Sequence, residues 1–308
     1  MHELIAAPYL DHHLLVRPGN PKAARLPAHR YDELHTASGT SAVPAWLADV
    51  ARQAWKIDLN DRRLDEAVLV RSRSPYAYGR ASYELNLGCN YDCEHCYLGL
   101  KQFAGLEWPE RERLLHAIRD SGVLWLQLTG GEPMIDKLFP ETYRLAYELG
   151  MMVEILTNGS RLAASKNLAL LTRLRPNRIT LSLYGATAES YDGLTRRRGA
   201  YRMFVKGLDA AHEAGLPLDL ALIITRHNAH EADQMRAFAG GTTCRTASTP
   251  TCRRPSTAAR KPSQPRPRTT SQIANPSTAA TPATPSSTST RTAWRLSARS
   301  AVTKRSPS

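Results

Sequence analysis

Between residues 81 and 240 the chain alternates short apolar runs of strand length with longer stretches whose apolar positions recur at helical spacing. Strands are predicted over Tyr83–Leu87, Val123–Thr129, Met152–Thr157, Arg178–Leu183 and Leu218–Ile224. Helices are predicted from Trp108-Pro109 to Ser121, over 137–149, 161–173, 200–214 and 229–239, with Gly150 and Gly215 as stop signals. Five strands, each followed by a helix, predict an α/β unit with a parallel sheet. Right-handed crossovers put the helices on one side of such a sheet and curl it. Chemistry in folds of this kind sits at the C-terminal ends of the strands.

The flanks follow other patterns. Residues 1–80 read as a small α+β unit. Residues 3–16 are β-compatible and end at the turn Pro18-Gly19-Asn20-Pro21. Helical spacing follows over 28–36 and 44–56, where Trp46 and Trp55 fill a small core, and then a short strand, Ala67–Val70, and a Ser/Pro/Tyr-rich connector over 72–79. Residues 241–308 have neither period. They hold 27 Ser/Thr and no Asp, Glu, Phe or Tyr. A segment with so little to bury is expected to be disordered.

Charge changes the picture only in the tail. The net +13 suggests a nucleic-acid partner, but 12 of the 41 basic residues lie in 241–308, leaving 29 against 28 acidic residues in the body. The tail has a single aromatic residue, Trp294, and no stacking platform, so nucleic-acid binding through it is a weak alternative. No stretch approaches the roughly 18 apolar residues of a membrane span. The N-terminus lacks the basic region and cleavage site of a secretory signal. Five clustered cysteines point to metal or catalytic use in a reducing compartment, the cytoplasm.

The chemistry concentrates in Cys89-Asn-Tyr-Asp-Cys93-Glu-His-Cys96, directly after the first strand of the alternating region. Three thiolates on one loop suit an iron–sulfur cluster or a soft metal. They are one ligand short of a closed zinc site, and His95 beside Cys96 is a cramped fourth. A [4Fe–4S] cluster with one open iron is the other reading.

This CxxxCxxC loop, the run Thr129-Gly130-Gly131-Glu132-Pro133 after the second strand, and the repeated β/α pattern together resemble the radical SAM enzymes over residues 81–240. His95 stands where that family usually carries an aromatic residue. The resemblance implies a (β/α)6 barrel, partial here with five β/α units. It implies that Cys89, Cys93 and Cys96 hold three irons and that the fourth chelates S-adenosylmethionine (SAM). One electron, from a donor such as flavodoxin or ferredoxin, would then release a 5′-deoxyadenosyl radical that abstracts a substrate hydrogen. By the same resemblance Gly130 and Gly131 let the backbone approach the methionine moiety. Glu132 accepts from the SAM ammonium or orients its loop. Ser182 lies near the SAM ribose and carboxylate, and Arg196 pairs with that carboxylate, with Arg197 and Arg198 as register rivals. Thr157-Asn158-Gly159 is a polar lining or only a turn.

Within the family, CNYDCEHCYLGLK resembles members that modify peptides or proteins, which often continue into a SPASM-type extension with further clusters. The β-then-helices order of 1–80 is roughly that of a leader-peptide-binding element. The likeness stops near Ala239, before a sixth strand, which is expected to leave an open sheet edge. An Arg/Pro/Ser/Thr-rich tail is what a GC-rich gene gives out of frame. Back-translating Ala279–Val302 and shifting one base allows CNAGHTFFHVDPHGLASVCKVGRD, which resembles the start of such an extension. Coding DNA across codons 235–245 tests this. The alternative function is therefore a truncated, inactive product of a radical SAM gene.

Overall fold

The computed structural model describes residues 2–98, 100–246 and 294–296. Its first element is a hairpin, β1 (Leu4–Tyr9) and β2 (His12–Val16), followed by β3 (Ala23–Leu26), α1 (Ala28–Thr36), α2 (Ala45–Trp55), α3 (Leu64–Ala67) and β4 (Val68–Val70). The strands form one sheet in the order β3-β2-β1-β4, antiparallel except for β1 with β4. The run read as β-compatible over 3–16 is thus a hairpin. β3 escapes a period-two reading because it is an edge strand with only Leu26 buried.

Strand alternation explains how this sheet is covered. Leu4 and Ala6 pack with Leu47, Ala51 and Trp55 of α2. Ile5 and Ala7 point the other way, against Leu124 and Met152. Both faces of β1 are therefore buried, and burying a Leu or Ile side chain contributes about 1.5–3 kcal/mol. Trp55 packs in the first cluster and donates its indole N–H to the Lys22 carbonyl at 3.3 Å, as expected of a core Trp.

The larger sheet is parallel throughout. Its strands are β5 (Arg80–Glu84), β6 (Trp125–Thr129), β7 (Met152–Thr157), β8 (Arg178–Leu183) and β9 (Leu218–Leu222), paired in chain order. The connecting helices are α4 (Trp108–Asp120), α5 (Phe139–Glu148), α6 (Ser165–Arg173), α7 (Ala188–Thr195) and α8 (Ala200–Glu213), and α9 (Ala232–Thr246) follows β9. Tyr83, Leu128, Ile155 and Ile179 lie in register across the sheet. They pack with Leu115 of α4, Tyr143 of α5, Leu171 of α6 and Phe204 of α8 in one core. The α/β architecture with five β/α units is as the pattern predicts.

Three details differ from expectation. β5 begins at Arg80 and leaves strand geometry after Glu84, because Asn86 turns the chain: its Oδ1 accepts from Gly88 N at 2.9 Å. α7, capped by Thr187 Oγ1 on Ser190 N, was not foreseen. The tail contributes β10 (Trp294–Leu296), parallel to β5 with Trp294 opposite Ala81, and α9 runs six residues beyond 240. A sixth strand therefore lies on the sheet edge that was expected to stay open. The remaining expectations for the tail, its disorder and its shifted reading frame among them, lie outside the described residues. No helix among the described residues is long and apolar enough to cross a membrane.

Candidate active site

A cavity of about 210 Å³ at the C-terminal ends of the strands is lined mainly by residues alternating with the core positions. β5 supplies Ser82 and Glu84, β6 Gln127 and Thr129, β7 Leu156 and Thr157, and β8 Ser182. The period-two polar positions on β5 and β6 carried this signal, although motif reading passes over them. Cys89, Cys93 and Cys96 line the same cavity, together with Gly130, Gly131, Asn158, His95 and Tyr184. The fold thus gathers three thiols, the Gly-Gly turn, Asn158 and Ser182 around one space.

The cysteine loop is held from below. Gly131 N donates to Asn86 O at 3.0 Å, and Glu132 N donates to Gly88 O at 2.8 Å. Gly130 has φ +134°, and a Cβ there would overlap the Asn86 carbonyl oxygen. A Cβ on Gly131 would overlap the Gly88 carbonyl oxygen. Both glycines line the cavity, but their missing side chains make room for the cysteine loop itself.

Behind this contact lies a polar network that the sequence did not announce. Arg111, in the first turn of α4, is 1% exposed. It donates to both oxygens of Asp136, at 2.9 and 3.2 Å, to Thr142 Oγ1 at 3.1 Å and to the Leu106 carbonyl at 3.0 Å. Asp136 Oδ2 also accepts from Asn86 Nδ2 at 3.1 Å, which ties the network to the turn that launches the loop. Above, Asp92 N donates to Thr195 O at 3.0 Å, and Lys101 bonds the Tyr91 carbonyl and Asp92.

Glu132 is fully buried and is not among the lining residues. Oε1 accepts from Met134 N at 3.1 Å and Thr157 Oγ1 at 2.7 Å, and Oε2 accepts from Asn158 N at 2.8 Å. Burial raises its pKa despite these three donors. The carboxylate joins the ends of β6 and β7. Ser182 stands in the lining. Arg196 does not: it caps α7 in the left-handed region (φ +50°), is half exposed, and lies 4.0 Å from Glu94. Glu94 also pairs with Arg226 at 2.9 Å and His227 at 3.0 Å.

The donor set fits an iron–sulfur cluster. Burial pushes the Cys89 thiol up and, with the neighbouring thiols, the Cys93 thiol up to about 12, so these sulfurs become thiolates readily only against a strong positive centre. Asn158 Nδ2 faces Cys89 Sγ at 3.8 Å, and Tyr91 N faces it at 3.4 Å, both donors suited to a ligated sulfur. Among the described residues no group of three His, Cys, Asp or Glu side chains is drawn together as the ligands of one ion.

Residues 83–239, half of the chain, match the radical SAM superfamily, and the chain belongs to that superfamily of enzymes. It is 32% identical over 158 residues to the PqqA peptide cyclase of Granulibacter bethesdensis, a stretch covering 49% of this chain and 41% of that protein. It is 30% identical over 166 residues to the mycofactocin maturase MftC of Mycobacterium ulcerans, covering 51% and 43%. The AdoMet-dependent heme synthase of Methanosarcina barkeri is 28% identical over 156 residues, covering 49% and 44%. The matched stretch thus spans less than half of each relative. Among solved structures, Streptococcus suis SuiB bound to precursor peptide SuiA shares the fold with a TM-score of 0.55 at 16% identity, covering 78% of this chain and 60% of SuiB.

Proposed function

We propose that this chain is the core of a radical SAM enzyme that abstracts hydrogen from a peptide or protein substrate. The observation that carries the reading is the convergence of Cys89, Cys93, Cys96, Gly130, Gly131 and Ser182 on one cavity at the strands' C-terminal ends. In this reading Cys89, Cys93 and Cys96 hold a [4Fe–4S] cluster. Together with SAM it supplies a 5′-deoxyadenosyl radical, with the electron coming from a flavodoxin- or ferredoxin-like donor. The chain's own residues position and shield. Asn158 donates toward the Cys89 sulfur. Glu132 locks the β6 and β7 ends together. Ser182 and the Gly130-Gly131 backbone present polar groups to SAM. Arg196, 4.0 Å from Glu94 and outside the lining, would pair with the SAM carboxylate in this reading.

The peptide substrate is supported by two of the relatives named above and by the likeness to SuiB, whose coverage exceeds what residues 83–239 supply and so takes in part of the N-terminal unit. Residues 1–80 then form that unit and 81–240 the catalytic core. The test is anaerobic reconstitution with iron and sulfide, followed by reductant and SAM. We expect about four irons and four sulfides per chain and release of 5′-deoxyadenosine. Retained iron with the three cysteines changed to Ser, or a fully loaded protein that never cleaves SAM, would overturn the reading.

A further inference from the structure

Three tyrosines line the cysteine cavity among the described residues, and the catalytic reading uses none of them. Two have their hydroxyls committed elsewhere. Tyr97 donates to Glu84 Oε1 at 3.0 Å and is 63% exposed, so solvent reaches it. Tyr91 is buried and donates to the Ala200 carbonyl at 3.4 Å. Tyr184 differs. It follows Ser182 just past the end of β8, and both side chains line the cavity. Its hydroxyl hydrogen-bonds with the Ser182 side chain, and Cys93 and Cys89 are near enough to act on its charge.

The Tyr184 ring is held on two sides. His95 lies against it at 5.5 Å between ring centroids, and the fully buried Tyr191 meets it edge-on at 5.4 Å. Its main chain is fixed as well. Asn228, also fully buried, donates from Nδ2 to the carbonyls of Tyr184 and Ile223, both at 2.8 Å. The phenol is thus positioned beside Ser182, within the space that the reading above gives to SAM.

A phenol O–H bond is weaker than a methyl C–H bond of 5′-deoxyadenosine, so passing a hydrogen atom from the first to form the second is downhill. A radical formed with no substrate hydrogen in reach would otherwise attack the C–H bonds of the lining, those of Gly130, Gly131 and Leu156 among them. Preventing such side reactions is part of what a closed site does.

We propose that Tyr184 is a hydrogen-atom donor that quenches the radical chemistry of this cavity when no substrate hydrogen is in place. The proposal rests on the radical SAM reading above. Tyr184 gives its O–H hydrogen to the C5′ radical: the O–H bond breaks, a C–H bond forms, and proton and electron travel together. 5′-Deoxyadenosine leaves, and Tyr184 is left as a neutral phenoxyl radical. One electron from the same flavodoxin- or ferredoxin-like donor and one proton from water restore the phenol.

The test uses the reconstituted full chain with SAM and dithionite in D2O, without peptide. A phenol hydrogen exchanges with D2O, whereas a carbon-bound hydrogen does not. The 5′-deoxyadenosine released is expected to carry one deuterium, read by mass spectrometry. Tyr184→Phe keeps the ring and loses the O–H, and in it the deuterated share should fall several-fold. In Tyr97→Phe the share should match the parent. The share is counted per product molecule, so a variant that loads less iron or turns over slowly still gives a reading. Parent samples frozen during turnover should show a phenoxyl signal by electron paramagnetic resonance, with splittings that change when the protein is made with ring-deuterated tyrosine. Tyr184→Phe should lack that signal. Equal deuterium in the parent and Tyr184→Phe overturns the proposal, and so does a phenoxyl signal that persists in Tyr184→Phe or a parent product without deuterium. Each of these leaves the catalytic reading standing. Release of no 5′-deoxyadenosine at all overturns that reading and this proposal with it.

Discussion

A Cβ placed on Gly131 would overlap the carbonyl oxygen of Gly88, one residue before the first cysteine of the loop. The overlap is with backbone, so no side-chain rotation relieves it. Glu132 N also donates to that same Gly88 oxygen. The Gly-Gly turn is therefore a seat for the cysteine loop.

Gly131→Ala should accordingly displace the loop while leaving the distant core intact. We expect iron retained after reconstitution to fall several-fold, with the far-ultraviolet circular dichroism unchanged. Overpacking of this kind typically costs about 1–3 kcal/mol. A variant that loads iron like the parent would show that the loop moves freely to accommodate a methyl group.

The Arg111–Asp136 pair makes a stability prediction. Both side chains are nearly inaccessible and doubly bonded. Asp136→Asn keeps the shape and removes the charge, leaving Arg111 buried without its anion. Breaking one partner of such a pair costs about 3–5 kcal/mol, which should appear as a large drop in the denaturant midpoint. Because Asp136 also holds Asn86, the variant should lose iron at denaturant concentrations below its unfolding midpoint. Coincident loss of iron and fold would indicate that the network serves stability alone.

Asn158 tests the electrostatics of the proposed cluster. Its amide donates toward Cys89 Sγ and to Asn90 Oδ1, the latter at 3.0 Å. Hydrogen bonds to ligating sulfurs stabilise the reduced cluster. Asn158→Leu should therefore make the potential more negative, on the order of tens of mV, in a redox titration followed by electron paramagnetic resonance. An unchanged potential with full iron would mean that the amide acts only on Asn90.

Much of this was legible because two signals are local. Strand and helix periods located the five β/α units, and the cysteine spacing located the loop at β5. What was not legible depends on partners far along the chain. Arg111 sits among the charged residues Glu110, Glu112 and Arg113 and reads as solvated helix surface; only the approach of Asp136 and Thr142 makes it a buried strut. That Gly131 also packs against Gly88, 43 positions earlier, is invisible to a motif. α7 carries Gly193 and Ser190, weak helix formers, and is held by Glu231, which accepts from Thr187 and Ser190 at 2.7 Å.

Glu132 yields a pH dependence whose sign follows from its burial. Its pKa is raised in the folded protein, with desolvation outweighing the three donors. The folded state therefore holds a proton more tightly than the unfolded chain. The stability this contributes is full below the ordinary carboxylate range and is lost as pH rises through the raised value. In Glu132→Gln that proton is absent, and whichever way the amide turns, its NH2 faces a donor, either Asn158 N or the pair Met134 N and Thr157 Oγ1. That mismatch costs about 1–3 kcal/mol and does not titrate. The stability gap between parent and variant should thus be widest in mild acid and narrow toward neutral pH, measured as denaturant unfolding free energy at each pH. A gap that widens with pH would mean that the three donors, not burial, govern the Glu132 carboxylate.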